Sequence, residues 1–428
     1  MKTLFTNATI LNETGELVSR DLWVEDGVLF AIGRSFVAEE FDQVYEINGK
    51  FLAPGLVDVH VHFREPGFTY KETIATGSAA AARGGFTTVC AMPNLNPVPD
   101  TKENFQTIQE IIARDAKIKV LQYASITQEL RSEELVDFDG LAKAGAFAFT
   151  NDGVGVQTAG TMYLAMKEAA RLGVPIVAHT EDESLLFGGV MHAGTRAKEL
   201  GLPGILSVTE SSQIARDVLL AEATGAHYHV CHVSTKESVR VIREAKAAGI
   251  KVTCEVCPHH LILKDTDIPE DFGFWKMNPP LRADADQQAL IEGLLDGTID
   301  CISTDHAPHG LEEKSQSFLN APFGIVGSEY AFQLMYTQFV QSGIFTLKQV
   351  IDWMTKKPAE IFGLTAGTIE IGKPADFAVF DLAETYQVNA EDFLSMGVNT
   401  PFDGWTLAGD TLATYVDGQL IWQRGEQA

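Results

Sequence analysis

The chain has 428 residues, of which 45% are hydrophobic, and a formal net charge of -26 at pH 7. This charge disfavours nucleic acid or an anionic membrane surface as a partner, and the sequence has no apolar run of the roughly 18 residues that a membrane-spanning helix needs. Asn7, Asn12 and Glu13 interrupt the apolar residues near the amino terminus, unlike a signal peptide. The five cysteines are scattered, as is usual in a reducing compartment. We therefore expect a cytoplasmic protein.

Both ends of the chain predict short β-strands. Turn signals at Glu25-Asp26-Gly27 and Val416-Asp417-Gly418 each indicate a β-hairpin, and residues 376–381 indicate another strand. A compact domain usually brings its termini close together. We therefore predict that residues 1–51 and 364–428 form one small composite β-sandwich, and that residues 52–363 form a catalytic domain inserted between them.

The middle of the chain alternates short apolar runs with helix-like segments, which is typical of a parallel sheet built from βαβ units. Eight runs favour a closed (β/α)8 TIM barrel over an open sheet. The predicted strands are residues 56–63, 87–93, 118–126, 146–150, 175–180, 227–233, 250–256 and 300–306. The predicted helices include residues 73–83, 102–114, 161–171, 211–223, 236–248 and 286–295.

The first of these strands carries two histidines. Pro54-Gly55 and Glu65-Pro66-Gly67 mark its ends. Side chains two positions apart on a strand share a face, so His60 and His62 point the same way, near the carboxyl end where barrel enzymes have their active sites. Such a pair forms half of a metal site, although an accidental pair explains H-x-H alone equally well.

The other predicted strands place similar residues at the same rim. Together with the first pair, the candidate metal ligands are His60, His62, Asp152, His179, His232 and Asp305. Each alone is better explained as a hydrogen-bonded structural residue, but six equivalent positions indicate a metal site. Imidazole and carboxylate donors suit Zn²⁺ or a similar ion, and six ligands favour a binuclear site for hydrolytic chemistry. The remaining histidines, and the Cys254 and Cys257 pair in an apolar strand, are predicted to be structural.

At this point the chain resembles a known family. Its motifs are similar, over nearly the whole length, to those of class I dihydroorotases of the amidohydrolase superfamily. They are H-V-H-F-R-E-P-G (60–67), A-M-P-N (91–94), T-N-D-G (150–153), H-T-E-D (179–182), C-H-V-S-T (231–235), M-N-P-P-L-R (277–282), S-T-D-H-A-P-H (303–309) and P-F-D-G-W (401–405). The phrases F-R-E-P-G, A-M-P-N and D-H-A-P-H distinguish dihydroorotases from their relatives.

The resemblance implies a ligand arrangement and a cofactor. His60, His62 and Asp305 would hold one zinc ion, and His179 and His232 would hold a second. Asp152 would bridge the two ions, because the fourth predicted strand lacks the lysine that many relatives carboxylate for this purpose. Members of the class hold one ion or two, so the number of ions stays open beside the expected two per chain.

The resemblance also implies a reaction, the reversible cyclisation of N-carbamoyl-L-aspartate to L-dihydroorotate and water in pyrimidine biosynthesis. Asp305 would act as general base and then general acid. An acidic protein needs local positive charge to bind this anionic substrate, and Arg64 would bind its carboxylate. The residues implied to contact substrate are His62, Arg64, Asn94, Asn278, His309, Phe323 and Gly324.

Two alternatives remain open. A hydantoinase or allantoinase would perform the same chemistry on an uncharged ring. A metal-free dihydroorotase-like chain would instead serve as a scaffold for aspartate transcarbamoylase, but such a chain should lack the ligands. We also expect a homodimer, while the sequence leaves association with aspartate transcarbamoylase open.

Overall fold

A computed structural model describes residues 1–425; residues 426–428, the end of the predicted composite domain, lie outside the described part. The strands are Lys2–Leu11 (β1), Leu17–Glu25 (β2), Val28–Gly33 (β3), Gln43–Glu46 (β4), Phe51–Pro54 (β5), Leu56–Val61 (β6), Phe86–Ala91 (β7), Lys119–Gln122 (β8), Phe149–Thr150 (β9), Ile176–Ala178 (β10), Met191–His192 (β11), Gly204–Ile205 (β12), Tyr228–Val230 (β13), Val252–Val256 (β14), Cys301–Ile302 (β15), Phe377–Gln387 (β16), Thr406–Val416 (β17) and Gln419–Gln423 (β18). The α-helices are Ile74–Arg83 (α1), Lys102–Asp115 (α2), Phe138–Ala144 (α3), Ala159–Leu172 (α4), Thr195–Leu200 (α5), Val208–Thr224 (α6), Lys236–Ala247 (α7), Pro258–Ile262 (α8), Asp284–Asp296 (α9), Leu311–Lys314 (α10), Ala331–Met335 (α11), Leu347–Met354 (α12) and Lys356–Phe362 (α13).

Eight parallel strands form a ring in the middle of the chain. β6, β7 and β8 pair in one run, and β9, β10, β13, β14 and β15 pair in a second. Two parallel bridges join the runs, Ala124 to Phe149 beside β8 and β9, and Val61 to His306 beside β6 and β15. The ring is therefore closed, and the predicted (β/α)8 barrel is confirmed.

Helices surround this ring. The six helices predicted from periodicity correspond to α1, α2, α4, α6, α7 and α9, with bounds that agree within three residues. The other helices, of eight residues or fewer, are too short for helical periodicity to reveal them. None of the helices within residues 1–425 has the length and hydrophobicity to cross a bilayer.

Strands from the two chain ends share one sheet, in the order β18-β17-β16-β5-β1-β2-β3, with β4 also paired to β1. β5 belongs to this sheet and runs through the predicted boundary between residues 51 and 52. The sheet folds over on itself, because Phe5 of β1 packs edge-on against Tyr415 of β17 with ring centroids 4.9 Å apart, although two strands separate β1 from β17. The interior of this small sandwich is apolar.

The two predicted hairpin turns lie side by side. Asp26-Gly27 joins β2 to β3 and Asp417-Gly418 joins β17 to β18, and all four residues have positive φ, as a two-residue hairpin turn requires. Ala375 connects the turns, because its N–H donates to the carbonyl of Gly27 at 2.9 Å and its carbonyl accepts from the N–H of Gly418 at 2.8 Å. Ala375 thus joins the hairpin of the amino-terminal strands to the hairpin of the carboxyl-terminal strands.

Truncation of Phe5 tests this packing. We expect Phe5→Ala to lower the free energy of unfolding by about 3–5 kcal/mol, because the buried ring leaves a cavity between strands from both chain ends. Phe30→Ala is the matched control, since Phe30 is 53% exposed, and should cost less than about 1.5 kcal/mol. Denaturant unfolding followed by circular dichroism measures both; equal losses would contradict the packing described.

Candidate metal centre

The six predicted ligands meet at the carboxyl ends of the barrel strands. His60 lies on β6 and His62 follows it; Asp152, His179, His232 and Asp305 follow β9, β10, β13 and β15 within three residues. All six side chains are buried. The strand ends alone bring them together, because parallel barrel strands present their carboxyl ends at one face.

Asp152 lies between the two predicted sets of histidines. Its Oδ1 is 3.4 Å from His60 Nε2, 3.6 Å from His179 Nδ1 and 3.5 Å from His232 Nε2. Its other oxygen, Oδ2, is 3.4 Å from His62 Nε2. This carboxylate faces all four imidazoles, which is the geometry that a bridging ligand needs.

Asp305 and the imidazole pairs complete the cluster. Asp305 Oδ1 is 3.0 Å from His62 Nε2 and 3.4 Å from His60 Nε2. On the other side of Asp152, His179 Nδ1 and His232 Nε2 are 2.9 Å apart. The ligand atoms of His60, His232 and Asp305 lie within 4.8 Å of one another, as do those of Asp152, His179 and His232.

Unpaired polar atoms test whether these residues fit a metal ion. His60 Nε2 and Asp152 Oδ1, which face each other in the cluster, are buried and have no hydrogen-bond partner among the described residues. An unsatisfied buried polar atom costs about 1–3 kcal/mol, and imidazole nitrogens with carboxylate oxygens are donors that Zn²⁺ accepts. The residues therefore fit a divalent cation.

The charges in the cluster depend on one another. Burial alone raises the pKa of Asp305, but the positive charge of His60 and a hydrogen bond from His62 outweigh it and lower the pKa below its usual value. For Asp152, burial is likewise outweighed, first by the positive charge of His60 and then by the adjacent imidazoles of His179 and His232, so its pKa is also lowered. Both carboxylates are held ionised, as metal binding requires.

A second layer of residues orients the histidines. Glu255 of β14 lies 2.6 Å from His60 Nδ1 and 3.2 Å from His229 Nε2, and it is completely buried. Its carboxylate fixes the tautomer of His60, so that Nε2 faces Asp152 and Asp305. The sequence analysis did not identify Glu255 or His229, although a single charged residue within an apolar strand is a signal that could have revealed Glu255.

Asn94 has an orienting contact of the same kind. Its Oδ1 accepts a hydrogen bond from His62 Nδ1 at 2.8 Å, which turns His62 Nε2 towards Asp305. Asn278, on the opposite wall, donates through Nδ2 to Glu181 Oε2 at 2.6 Å. Glu181 is another site residue that the sequence analysis missed.

A cavity of about 240 Å³ opens above the cluster. His62 and the other predicted substrate contacts line it, and His60 lies behind the wall. The predicted residues on the wall are His62, Arg64, Asn94, Asp152, His179, His232, Asn278, Asp305, His309, Phe323 and Gly324. The structure thus brings the predicted substrate contacts together around one space.

One wall of the cavity is positively charged, unlike the protein as a whole. Arg64 is buried, donates through Nε to the carbonyl of Pro308 at 3.2 Å, and has Nη2 3.3 Å from His309 Nε2. Burial lowers the pKa of Arg64 to about 10, so the guanidinium stays charged at neutral pH. Burial and the charges of Arg64 and Lys71 lower the pKa of His309, so its imidazole is neutral. This wall can bind an anion.

Comparisons with known proteins agree with this geometry. A family described as dihydro-orotase-like matches residues 49–238, and an amidohydrolase family matches residues 339–422. The chain is 71% identical to the dihydroorotase of Enterococcus faecalis over 427 residues and 60% identical to that of Ligilactobacillus salivarius over 430 residues, with 100% of each chain covered.

Among solved structures, the chain is similar to L-hydantoinase (dihydropyrimidinase) from Arthrobacter aurescens, with a TM-score of 0.90, 28% identity, and coverage of 100% of this chain and 97% of that one. A D-hydantoinase structure at 24% identity gives a TM-score of 0.87, with 100% and 96% of the two chains covered, and supports the fold alone.

Substitution of Glu255 tests the orienting layer. We expect Glu255→Gln to weaken zinc binding about 10–100-fold, because the neutral amide no longer stabilises the tautomer of His60 that presents Nε2. Asp217→Asn is the control, since Asp217 is equally buried but pairs with Arg216 and Tyr228. Equilibrium dialysis with elemental analysis measures the affinity; equal affinity in both variants would refute the role of Glu255.

Proposed function

The chain belongs to the dihydroorotase family of the amidohydrolase superfamily, and from this membership we propose that it catalyses the reversible cyclisation of N-carbamoyl-L-aspartate to L-dihydroorotate and water. The observation that carries the proposal is the cavity itself, where a buried cluster of imidazoles and carboxylates faces a wall that contains Arg64. The test is dihydroorotate hydrolysis, followed in the ultraviolet before and after chelation. Activity lost on chelation and restored by zinc supports the proposal; an inactive zinc-loaded protein contradicts it.

We propose zinc as the metal and two ions per chain, with Asp152 bridging. His60, His62 and Asp305 would hold one ion, and His179 and His232 would hold the other. The near-equal distances from Asp152 Oδ1 to His60, His179 and His232 support this arrangement. When bound, such ions polarise a carbonyl and lower the pKa of water.

Asp305 is proposed as the catalytic acid and base. It borders the cavity and its carboxylate is held ionised, so it can accept a proton in the hydrolytic direction. It would take that proton from the attacking water and deliver it to the departing ring nitrogen. In the direction of cyclisation the same carboxylate would take the proton from the attacking nitrogen and deliver it to the departing water.

Arg64 is proposed to bind the substrate carboxylate. The cavity wall places Asn94, Asn278 and His309 around the same space, and the backbone at Phe323 and Gly324 borders it. An arginine can give two parallel hydrogen bonds to a carboxylate, which selects an anionic ring over a neutral hydantoin. The hydantoinase alternative is favoured by the likeness to a hydantoinase structure. It predicts that activity does not depend on Arg64.

The wider setting of the enzyme is also proposed. The sheet shared by strands from both chain ends supports treating residues 1–51 and 364–428 as one domain. The five free, buried cysteines support a cytoplasmic location. A homodimer and association with aspartate transcarbamoylase stay predictions, for which size-exclusion chromatography with and without that enzyme is the test.

The role of Asp305 has a direct test. We expect Asp305→Ala to lower kcat by at least about 10²–10⁴-fold, because the variant lacks the group that transfers the proton. Circular dichroism should show an unchanged fold, and elemental analysis reports whether zinc is retained. Near-normal turnover in this variant would refute the assigned mechanism.

Arg64→Ala tests the substrate assignment. We expect kcat/KM on dihydroorotate to fall about 100-fold or more, equivalent to roughly 2.7 kcal/mol, because the carboxylate loses its partner. Arg64→Lys is the matched variant, since it keeps the charge but loses the paired hydrogen bonds. Its kcat/KM should lie between that of the wild type and that of Arg64→Ala. If Arg64→Ala instead keeps its activity and the wild type accepts uncharged 5-substituted hydantoins, the hydantoinase alternative replaces the proposal.

A further inference from the structure

Two lysines are buried beside the loop that forms one wall of the cavity. Lys276 is 4% exposed and Lys314 is fully buried, whereas lysine is almost never buried completely unless it is paired. We call residues 317–324, which end at Phe323 and Gly324, the substrate loop, and we call the two lysines the lysine clamp. Neither lysine is among the residues that line the cavity.

The lysine clamp donates to backbone carbonyls of the substrate loop. Lys276 Nζ donates to the carbonyls of Phe318 at 2.5 Å and Ala321 at 2.6 Å. Lys314 Nζ donates to the carbonyls of Pro322 and Lys276, both at 2.8 Å. The Lys276 carbonyl also accepts from the N–H of Gly324 at 3.0 Å. Three loop carbonyls and one loop N–H are therefore fixed by two side chains and one carbonyl.

Burial of the two lysine amino groups among carbonyls has an electrostatic cost. Burial lowers the pKa of Lys276 to about 8. Burial, together with the charges of Lys276, Arg64 and Lys71, lowers the pKa of Lys314 well below its usual value. An apolar side chain of similar length would fill these positions without that cost. The hydrogen bonds to the loop are what lysine provides there.

The far end of the substrate loop is fixed from the other side. His309 Nε2 donates to the carbonyl of Phe323 at 2.8 Å. Gly324 has φ of +130°, and a Cβ there would lie 2.7 Å from the Cβ of Ala307, so the loop backbone packs tightly against the segment after β15. The lysine clamp supplies the opposing contacts, so the backbone at Phe323 and Gly324 is positioned from both sides.

We propose that Lys276 and Lys314 are positioning residues for substrate binding, which hold the substrate loop so that the backbone of Phe323 and Gly324 meets the ring of the bound substrate. This inference rests on the proposed function, because that function places the ring against the loop. The lysines touch the loop and not the reacting atoms. Their loss should therefore weaken binding much more than it slows the chemical step.

The experiment compares zinc-loaded Lys276→Met and Lys314→Met with the wild type. We expect KM for dihydroorotate to rise at least about tenfold, equivalent to about 1.4 kcal/mol, with kcat changed less than about threefold and zinc content unchanged. Amide hydrogen exchange should accelerate in the peptide that covers residues 317–324. Lys276→Arg, which can still donate to two carbonyls, should recover most of the lost affinity.

Lys246→Met is the matched control. Lys246 is a partly buried lysine that also donates to a backbone carbonyl, that of Gly297, and pairs with Asp300 just before β15, at the opposite end of the barrel strands from the cavity. We expect this variant to keep the wild-type KM and the wild-type exchange of residues 317–324. A general loss of stability would affect all three methionine variants, whereas the proposed role affects only the two clamp variants.

Several outcomes would overturn the inference. An unchanged KM in both clamp variants would do so, as would a fall in kcat with loss of zinc, since the lysines would then support the metal centre. If a methionine variant does not fold, Lys276→Gln and Lys314→Gln replace it. The glutamine side chain is shorter than that of lysine, so its donor falls short of the loop carbonyls and KM should rise in the same way. If the wild type does not turn over dihydroorotate, the proposed function is refuted instead. Hydrogen exchange then still tests the clamp, because unchanged exchange of residues 317–324 in both clamp variants would refute it.

Discussion

The negative charge of Asp152, buried among four imidazoles, is the constraint on which the rest of the site depends. A buried ion costs several kcal/mol unless partners compensate it, so the four histidines must reach it from the ends of three strands, β6, β10 and β13. That demand fixes the positions of the strand ends relative to one another. The closed barrel meets it, because a ring of paired strands cannot shift one end without moving its neighbours.

The constraint extends outward through residues that contact the histidines from outside the cluster. Glu255 and Asn94 each hold the far nitrogen of one cluster histidine, His60 and His62 respectively, so the near nitrogen faces the carboxylates. Asp58 has a similar role between strands, since its carboxylate accepts from the N–H of His60 and from Thr304 just before Asp305. Burial raises the pKa of Asp58 to about 6. The protein's own hydrogen bonds thus orient the donors.

The sequence predicted the barrel, the hairpins and the meeting of the six candidate ligands at one rim because each rests on a local pattern. Alternation on one strand puts His60 and His62 on one face, and parallel strands bring their ends together. The partners of Glu255 and Lys276 could not be found in this way, because they lie far away in the sequence: Glu255 meets His60, 195 positions away, and Lys276 meets carbonyls more than 40 positions away. A charged residue in a strand or loop does not reveal which distant group satisfies it.

The contact of both hairpin turns with Ala375 has a consequence for synthesis on the ribosome. Phe5 packs against Phe377 and Tyr415, and Gly27 bonds to Ala375, so the amino-terminal strands cannot complete their core until the last strands emerge. At about 5–20 residues per second, roughly 20–75 s separate the two events. Throughout that interval the nascent chain carries an unfinished sheet with an open edge, which can pair with other chains. The small sandwich is therefore the part of the protein that stays incomplete while the barrel is being made.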